Sequence, residues 1–307
     1  MNSILKQIGL NPFDLANAAL LPKIRRGRDF HCYDFSNKRY LDLYRADGAS
    51  LLGYSVPGFQ LAIKNRVSQA LWQGLPHPIF KQVTRAITEA LPNHVPLICP
   101  DRDALRSVLE LFGCSVDRPL LPTQTDCQPS SNQTTFSWWL PFGPPPSNIS
   151  VAVLPRPAFS GPQIVLISLD LFQKQLETQG SDLQSTLDFI SFQTPVYAIQ
   201  ALLSGISALK SLGAFNQAAR KDTTQQLGKW VETNWRTIAL GKWRRAGPYL
   251  LHDYSASQYT QIFQNAYERG IILNPRSNGI NFLPGIISSG EQKNLESCLS
   301  FQPNGEV

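Results

Sequence analysis

The spacing of hydrophobic positions predicts a regular first part of the chain. Between residues 29 and 44, aromatic and aliphatic side chains alternate with polar ones and are interrupted by Ser36 and Asn37, which predicts a β-hairpin. Residues 57–72 and 78–91 repeat their apolar positions at helical spacing, which predicts two helices. Two shorter helices complete this part, 12–20 and 101–112.

The middle of the chain, about 113–192, has a different pattern. Residues 119–162 contain ten of the 23 prolines, and 122–135 is a polar loop. Proline is poorly tolerated in central strands, so the prolines here indicate strand ends. Three short β-like runs remain, 136–140, 149–154 and 163–167, followed by an amphipathic helix at 170–177.

The last part, about 193–307, is regular again. Helices are predicted over 195–211, 214–239 and 257–269, and strands over 246–253, 271–273 and 279–283. The last two strands are expected to pair with each other across a turn at 275–278. A final helix begins near Ser288, and Glu291 three residues later indicates a capping box.

Composition and charge narrow the class of protein. Only 16% of the 307 residues are charged, which argues against a coiled coil or a long helical array. The net charge is +6, with basic clusters at 25–28 and 242–245. No nucleic-acid-binding module accompanies these clusters, so we interpret them as solvated loop charges and expect no nucleic-acid partner.

Cysteine spacing and hydropathy bear on the compartment. The five cysteines are widely spaced and form no C-x-x-C pair, so neither a zinc site nor a disulfide framework is indicated. We therefore expect a cytoplasmic protein with reduced thiols. No apolar run reaches the roughly 18–20 residues of a membrane-spanning helix, so we also expect no membrane association.

Several short motifs, in their order along the chain, resemble the class III aminotransferases, with glutamate-1-semialdehyde aminomutase as the most similar member. At the N-terminal end the matching segments are 27–34, 39–43 and 51–57, followed by the helix with Ala62 and Lys64. At the C-terminal end they are Thr194-Pro195 before an alanine-rich helix, 268–273, 278–284, and Ser288 with Glu291. The resemblance covers roughly 1–112 and 190–300.

This resemblance implies a shortened fold-type I α/β architecture, with a reduced, mostly parallel sheet and an α+β small domain built from both chain ends. The expected domains are 1–75, 76–195 with the proline-rich loop 119–162, and 196–307. Family members bind pyridoxal phosphate at a dimer interface, so a homodimer or association with a family member is also implied. They are longer than this chain, and the residues that this chain lacks belong to the middle part, which supplies the cofactor pocket of the family.

The chemistry of the family can be compared residue by residue. Aminotransfer requires a lysine whose amine forms an imine with the cofactor aldehyde. The lysine segment of the family matches 154–162 and places Arg156 at the lysine position. A guanidinium stays protonated and does not form this imine. Lys174, the one lysine of 113–192, is the alternative under a different alignment.

The cofactor-holding positions also depart from the family. Members hold the phosphate at a helix N-terminus with small and hydroxyl residues, where the free amides and the helix dipole favour an anion. The matching helix start here carries Asp101 and Asp103, which would cap the helix themselves and repel a phosphate. Asp170 is the candidate partner of the pyridine nitrogen.

Two further positions complete the comparison. Many members grip a substrate carboxylate with an arginine, and the matching residue here is Asn281, which cannot form a charged bidentate clamp. Ser191 and Thr194 resemble the residue that reaches the phosphate of a neighbouring subunit. Hydroxyl side chains before a helix are also ordinary caps, and we favour that role for them.

Two functions from different classes remain open. The first is a catalytically degenerate aminotransferase-like protein that has lost pyridoxal phosphate and has an interaction or scaffolding role. The alternative is a minimal pyridoxal-phosphate enzyme that acts on an amino acid or amino-aldehyde, with Lys174 or another lysine as its imine-forming residue. An unrelated binding protein is the third possibility.

Overall fold

The computed structural model describes residues 11–56, 58–69, 76–89, 91–114, 136–138, 141–142, 150–154, 162–212, 214, 242–246 and 248–303. The chain divides into two compact units. Unit 1 combines both chain ends, Met1–Ser55 and Asp222–Val307, and unit 2 is Val56–Lys221. The predicted domain boundaries near 75 and 195 stay a prediction. The predicted helix 214–239 and the polar loop 122–135 lie outside the described residues, apart from Ala214.

The described elements are ten helices and eleven strands. The helices are α1 (Pro12–Ala19), α2 (Arg45–Gly48), α3 (Phe59–Val67), α4 (Pro78–Thr88), α5 (Arg102–Leu111), α6 (Leu169–Gln179), α7 (Ser181–Phe192), α8 (Val196–Ser211), α9 (Ala256–Glu268) and α10 (Ser289–Leu299). The strands are β1 (Ile24–Arg28), β2 (His31–Asp34), β3 (Arg39–Asp42), β4 (His94–Cys99), β5 (Phe136–Trp138), β6 (Val151–Leu154), β7 (Gln163–Ser168), β8 (Trp243–Ala246), β9 (Tyr249–His252), β10 (Ile271–Ile272) and β11 (Asn281–Phe282).

Unit 1 contains two small sheets, ordered β1-β2-β3-β10 and β11-β9-β8. The predicted hairpin is confirmed, because β2 and β3 pair antiparallel across a turn in which Asn37 has a φ of 64°. Helices α9 and α10 bury their apolar faces with the sheets in one core that includes Phe263 and Leu295. The capping box of Ser288 and Glu291 is also confirmed.

The predicted strand 246–253 is present as the shorter β9, but β8 before it was not predicted. Two other expectations for unit 1 are wrong. Strands β10 and β11 do not pair with each other: β10 joins β3 in a parallel ladder and β11 joins β9. The basic cluster at 25–28 lies in the edge strand β1 and not in a loop, although all five residues of β1 are exposed as expected.

Unit 2 is built around a four-stranded sheet of order β4-β7-β6-β5. Strand β7 is antiparallel to both neighbours, whereas β5 and β6 are parallel. Strands β4, β5 and β6 therefore point one way and β7 points the other. The sheet is small, as expected, but it is mixed and not mostly parallel, because two of its three ladders are antiparallel. The carboxyl ends of β4, β5 and β6 meet at one edge, which we call the carboxyl edge.

Both faces of this sheet are covered by helices. Alternate residues of β4, β6 and β7 face α4 and α8, and the residues between them face α5 and α7. Because helices bury both faces of the sheet, the sequences of these strands are nearly continuous runs of apolar residues. Strand β6 is buried at all four positions.

Two elements of unit 2 were not predicted. Strand β4 contains Pro96, which is tolerated there because β4 lies at the edge of the sheet. Helix α7 follows α6 after Gly180, whose φ is 68°, and buries only Leu183 and Leu187. In the part of the chain that the structure describes, no single helix is long and apolar enough to cross a membrane. Helices α7 and α8 reach that length and apolar character only when taken together, and the pair is bent by 92°.

Candidate functional site

The carboxyl edge of the unit 2 sheet is the first place to look for a site. Ligands of open α/β sheets bind outside the carboxyl ends of the strands. At this edge Cys99 of β4 is opposite Gln163 of β7, and Leu154 of β6 is opposite Ile164. Arg156 follows two residues after Leu154 and lies outside the described residues, so its role stays a prediction.

The N-terminus of α5 lies directly after β4 and is already capped. The Asp101 carboxylate accepts a hydrogen bond from the backbone N–H of Ala104 at 2.8 Å, and Asp103 lies in the first turn. Two carboxylates at a helix N-terminus satisfy its positive end electrostatically. An approaching phosphate would meet two negative charges there, as the sequence predicted.

The side chains at this helix start offer one cation against the two carboxylates, the exposed Arg102 at the first position of α5. Cys99 is fully buried, and burial together with the nearby Asp101 raises the pKa of its thiol to about 12. The thiol is therefore protonated and inert as a nucleophile near neutral pH. Gln163 is also buried, and its Oε1 atom has no hydrogen-bond partner.

Asp170 and Lys174 lie at the opposite end of the sheet. Both are on α6, which starts where β7 ends, and the N–H of Leu169 donates to the carbonyl oxygen of Asn93 just before β4 begins. The length of β4 separates this end from Cys99 by about 16 Å at 3.3 Å per residue. Both side chains are exposed, and the structure does not bring either of them to the capped helix.

Ser191 lies in the last turn of α7, and Thr194 lies between α7 and α8. Ser191 is half-buried beside an open groove of about 1050 Å³ that runs between α4 and α7 along the outer edge of β4. Thr194 is only 1% exposed, its Oγ1 atom has no partner, and its backbone N–H donates to Ser191. Helix α8 has no side-chain cap, so the expectation that Thr194 caps this helix is wrong.

Asn281, which replaces the family's carboxylate-gripping arginine, is buried in unit 1 and fully engaged. Its Oδ1 atom accepts from the N–H of Asn274 at 2.7 Å, and its Nδ2 atom donates to the Tyr259 hydroxyl at 3.2 Å. The Tyr259 hydroxyl in turn donates to the carbonyl oxygen of Asn274 at 2.7 Å. The Nδ2 atom of Asn281 therefore links β11 to α9, and its Oδ1 atom links β11 to the segment that follows β10.

A feature that the sequence did not reveal is that the short element α2 in unit 1 is a left-handed turn and not a regular α-helix. Arg45, Ala46 and Asp47 have φ values of 46°, 50° and 57°, and Gly48 follows at 85°. Each such non-glycine residue costs roughly 1–2 kcal/mol, so surrounding contacts must hold the turn. Only Gly48 hints at this conformation in the sequence.

The buried arginine of this turn is held by backbone oxygens and an aromatic ring. Arg45 is 0% exposed, and it donates from Nε to the carbonyl oxygen of Asp42 at 3.1 Å and from Nη1 to that of Leu51 at 2.7 Å. Its guanidinium lies 4.4 Å from the centre of the Phe30 ring, and its Nη2 atom has no partner. Burial lowers the pKa of Arg45 to about 10, so it stays charged at neutral pH.

The neighbouring Asp42 carboxylate organises the turn. Its Oδ1 atom accepts from the backbone N–H groups of Tyr44 and Arg45 at 2.9 and 3.0 Å. Its Oδ2 atom accepts from the Tyr54 hydroxyl and from the Cys32 thiol. Burial and the Asp42 charge raise the pKa of Cys32 to about 12. Both oxygen atoms of the Asp42 carboxylate therefore accept hydrogen bonds that hold the surrounding groups in place.

Comparison with known proteins begins with sequence. No family model matches the chain. It is 24% identical over 280 residues to an uncharacterized protein of Treponema pallidum, covering 85% of this chain and 89% of that protein. It is 22% identical over 289 residues to an uncharacterized protein of Borreliella burgdorferi, covering 92% of each. The descriptions of these two relatives name no activity.

Comparison with solved structures gives the fold. An engineered thermostable omega-transaminase matches with a TM-score of 0.66 at 12% identity, over 95% of each chain. An amine transaminase from an uncultivated Pseudomonas species matches with 0.62 at 13% identity, over 91% of this chain and 94% of that one. Ornithine δ-aminotransferase of Plasmodium falciparum matches with 0.61 at 13% identity, over 90% and 91%. The chain therefore has a shortened, fold-type I-like fold, similar to the fold of these transaminases.

Proposed function

We propose that this chain is a class III aminotransferase-like protein that no longer performs aminotransfer and has an interaction or scaffolding role. The observation that carries the proposal is the Asp101 carboxylate on the N-terminus of α5. The described residues at the carboxyl edge do not fit pyridoxal phosphate, because their two carboxylates outnumber the one cation, Arg102, and the Cys99 thiol is neutral. Strands β4–β7 and helix α5, as described, contain no lysine.

Two further placements support the proposal. Lys174 and Asp170 lie at the end of the sheet opposite the capped helix. Asn281 is engaged on both sides of its amide. The helix start at the phosphate position and Asn281 at the clamp position are therefore already engaged in hydrogen bonds, and the sequence has Arg156 at the lysine position of the resemblance, outside the described residues.

The wider role and setting belong to the same proposal. The chain acts as a homodimer or together with an active family member, in the cytoplasm, and its similarity to glutamate-1-semialdehyde aminomutase rests on the sequence motifs. Cys32, Cys99, Cys114 and Cys298 are buried free thiols, which agrees with a reducing compartment. Light scattering during size-exclusion chromatography should give twice the mass of one 34.2 kDa chain for the homodimer.

Reductive trapping tests the loss of aminotransfer chemistry. The purified chain is mixed with pyridoxal phosphate, reduced with borohydride and mapped by mass spectrometry. We expect only weak, non-saturating labelling of exposed lysines. A stoichiometric adduct on one lysine would overturn the proposal. If that adduct disappeared in Lys174→Ala but not in the exposed control Lys293→Ala, the minimal-enzyme alternative would be supported.

A further inference from the structure

One end of the β1-β2-β3 sheet in unit 1 presents two large apolar side chains to solvent. Ile24 at the start of β1 is opposite Asp34 at the end of β2, so Ile24 lies beside the turn that contains Phe35. Phe35 is 71% exposed and Ile24 is 41% exposed. We call these two side chains the apolar tip.

Four exposed cations surround the apolar tip, Lys23, Arg25, Arg26 and Lys38, and we call them the basic rim. Arg25 donates from Nη1 to the side-chain oxygen of Asn37 at 3.1 Å. The Arg26 guanidinium lies 4.5 Å from the centre of the Tyr33 ring, and the Lys38 ammonium lies 4.9 Å from that of Tyr40. Among the described residues none of the four forms an ion pair, so their charges are available to a partner.

The turn that presents Phe35 is fixed by local hydrogen bonds. The Oδ1 atom of Asp34 accepts from the backbone N–H groups of Ser36 and Lys38, both at 2.9 Å, and from the Ser36 hydroxyl at 2.6 Å. The Asp34 carboxylate beside the basic rim is therefore already hydrogen-bonded within the turn. Phe35 is held away from the sheet by this geometry.

We propose that the apolar tip and the basic rim form a peripheral contact with an anionic lipid surface. Apolar side chains that enter the acyl boundary, surrounded by cations that meet acidic headgroups, are the pattern of interfacial membrane binding. The proposal departs from the sequence-based expectation of no membrane association, which rested on the lack of a spanning helix. It is independent of the function proposed above.

Other occupants fit this end of the sheet less well. A second copy of β1 would bring like charges together, because cations on an edge strand oppose self-pairing. A protein partner needs about 800 Å² of surface on each side, more than two apolar side chains provide. Single-stranded nucleic acid stacks successive bases on several aromatic faces, but among the described rings at this end of the sheet Phe35 stands alone, because Arg26 lies over Tyr33 and Lys38 over Tyr40.

The expected effects can be given as changes in the partition coefficient. Each lysine or arginine near an anionic surface strengthens binding by about fivefold. Arg25→Gln together with Arg26→Gln should therefore weaken binding by about 25-fold at low salt. Phe35→Ser should weaken it by at least about tenfold, because an aromatic side chain no longer leaves water.

Co-sedimentation of the full chain with vesicles tests the proposal. The vesicles are pure phosphatidylcholine, or phosphatidylcholine with about one-third phosphatidylglycerol, at about 0.1 M and 0.5 M salt, where screening differs strongly. The matched control is Ile286→Ser, which removes a 75% exposed apolar side chain elsewhere in unit 1. All variants change exposed residues, and circular dichroism checks that they fold.

We expect binding to the acidic vesicles alone, weakened by high salt, by Phe35→Ser and by the double arginine variant, and unchanged in Ile286→Ser. The proposal is overturned if the wild-type chain does not sediment with acidic vesicles at low salt, or if Ile286→Ser weakens binding as much as Phe35→Ser. It is also overturned if a labelled single-stranded DNA binds as tightly and Phe35→Ser leaves vesicle binding unchanged, since the site would then be a general polyanion surface.

Discussion

At the residue scale, three carboxylates of this protein hold segments of backbone in place. Asp101 satisfies a helix N-terminus, Asp34 fixes a turn, and Asp42 organises the left-handed turn of Arg45. In each case the carboxylate accepts hydrogen bonds from nearby N–H groups, the strong type of bond that involves an ionised acceptor. Carboxylates used in this way are not free for proton transfer or for binding a cation.

The Asp42 network should make a large contribution to the stability of unit 1. Asp42→Asn removes the negative charge beside the buried Arg45 and leaves fewer acceptors for Tyr54 and Cys32. We expect a loss of about 3 kcal/mol in the free energy of unfolding. Hydrogen exchange of β2 and β3 peptides in increasing urea measures this loss. Asp29→Asn, at an exposed position, should change it by less than about 0.5 kcal/mol, and equal effects of both variants would contradict the account.

The left-handed turn gives a prediction of opposite sign. Ala46→Gly should stabilise unit 1 by about 0.5–1 kcal/mol, because glycine removes the strain of a φ of 50° at a smaller entropic cost. Ala16→Gly, the same change in the regular helix α1, should destabilise it by about 1 kcal/mol. Thermal unfolding of the two variants compares them. Destabilisation by both would show that Ala46 is not strained.

At the element scale, the sequence predicts an element well where local chemistry alone determines it. The hairpin β2–β3, the helices α4 and α5 and the capping box of Ser288 follow from alternation, helical spacing and caps. The elements that were wrongly predicted or missed depend on residues far away in the sequence. Strands β10 and β11 join different sheets, and β4 can contain Pro96 because it is an edge strand. The left-handed turn depends on Asp42 and Leu51, and nothing in its own four residues except glycine indicates it.

The packing of β9 against α9 predicts a dependence of stability on pH. The His252 ring stacks on Tyr259 at 4.3 Å, and burial lowers the pKa of His252 to about 4, despite the opposing effect of Asp253. The unfolded chain binds this proton near pH 6.5 and the folded chain only near pH 4, so the stability of unit 1 should fall by about 2 kcal/mol as the pH drops through this window.

His252→Phe keeps an aromatic ring against Tyr259 and removes the titrating group. The variant loses the hydrogen bond that His252 accepts from the N–H of Tyr254, so its stability at pH 7 should be about 1 kcal/mol lower. Its stability should nevertheless change less than that of the wild type between pH 6.5 and 4. Urea unfolding at a series of pH values gives both slopes, and parallel slopes would show that His252 is not responsible.

At the scale of the whole molecule, the chain keeps a transaminase fold while its candidate site differs in chemistry. Likeness to solved transaminases at 12–13% identity shows the fold and leaves the activity to be argued from the residues. The sequence predicted the architecture and the carboxylates at the helix start of α5. It could not predict that Asp170 and Lys174 lie at the far end of the sheet, because that follows from the reversed direction of β7.

Equilibrium binding of pyridoxal phosphate tests the central claim most directly. We predict no saturable binding by the wild-type chain up to about 1 mM ligand, because Asp101 and Asp103 occupy the helix start that follows β4 at the carboxyl edge of the sheet. In Asp101→Ser with Asp103→Ala the serine still caps α5, so a phosphate should bind there at least about tenfold more tightly. Stoichiometric binding of pyridoxal phosphate by the wild-type chain at micromolar concentration would contradict the account.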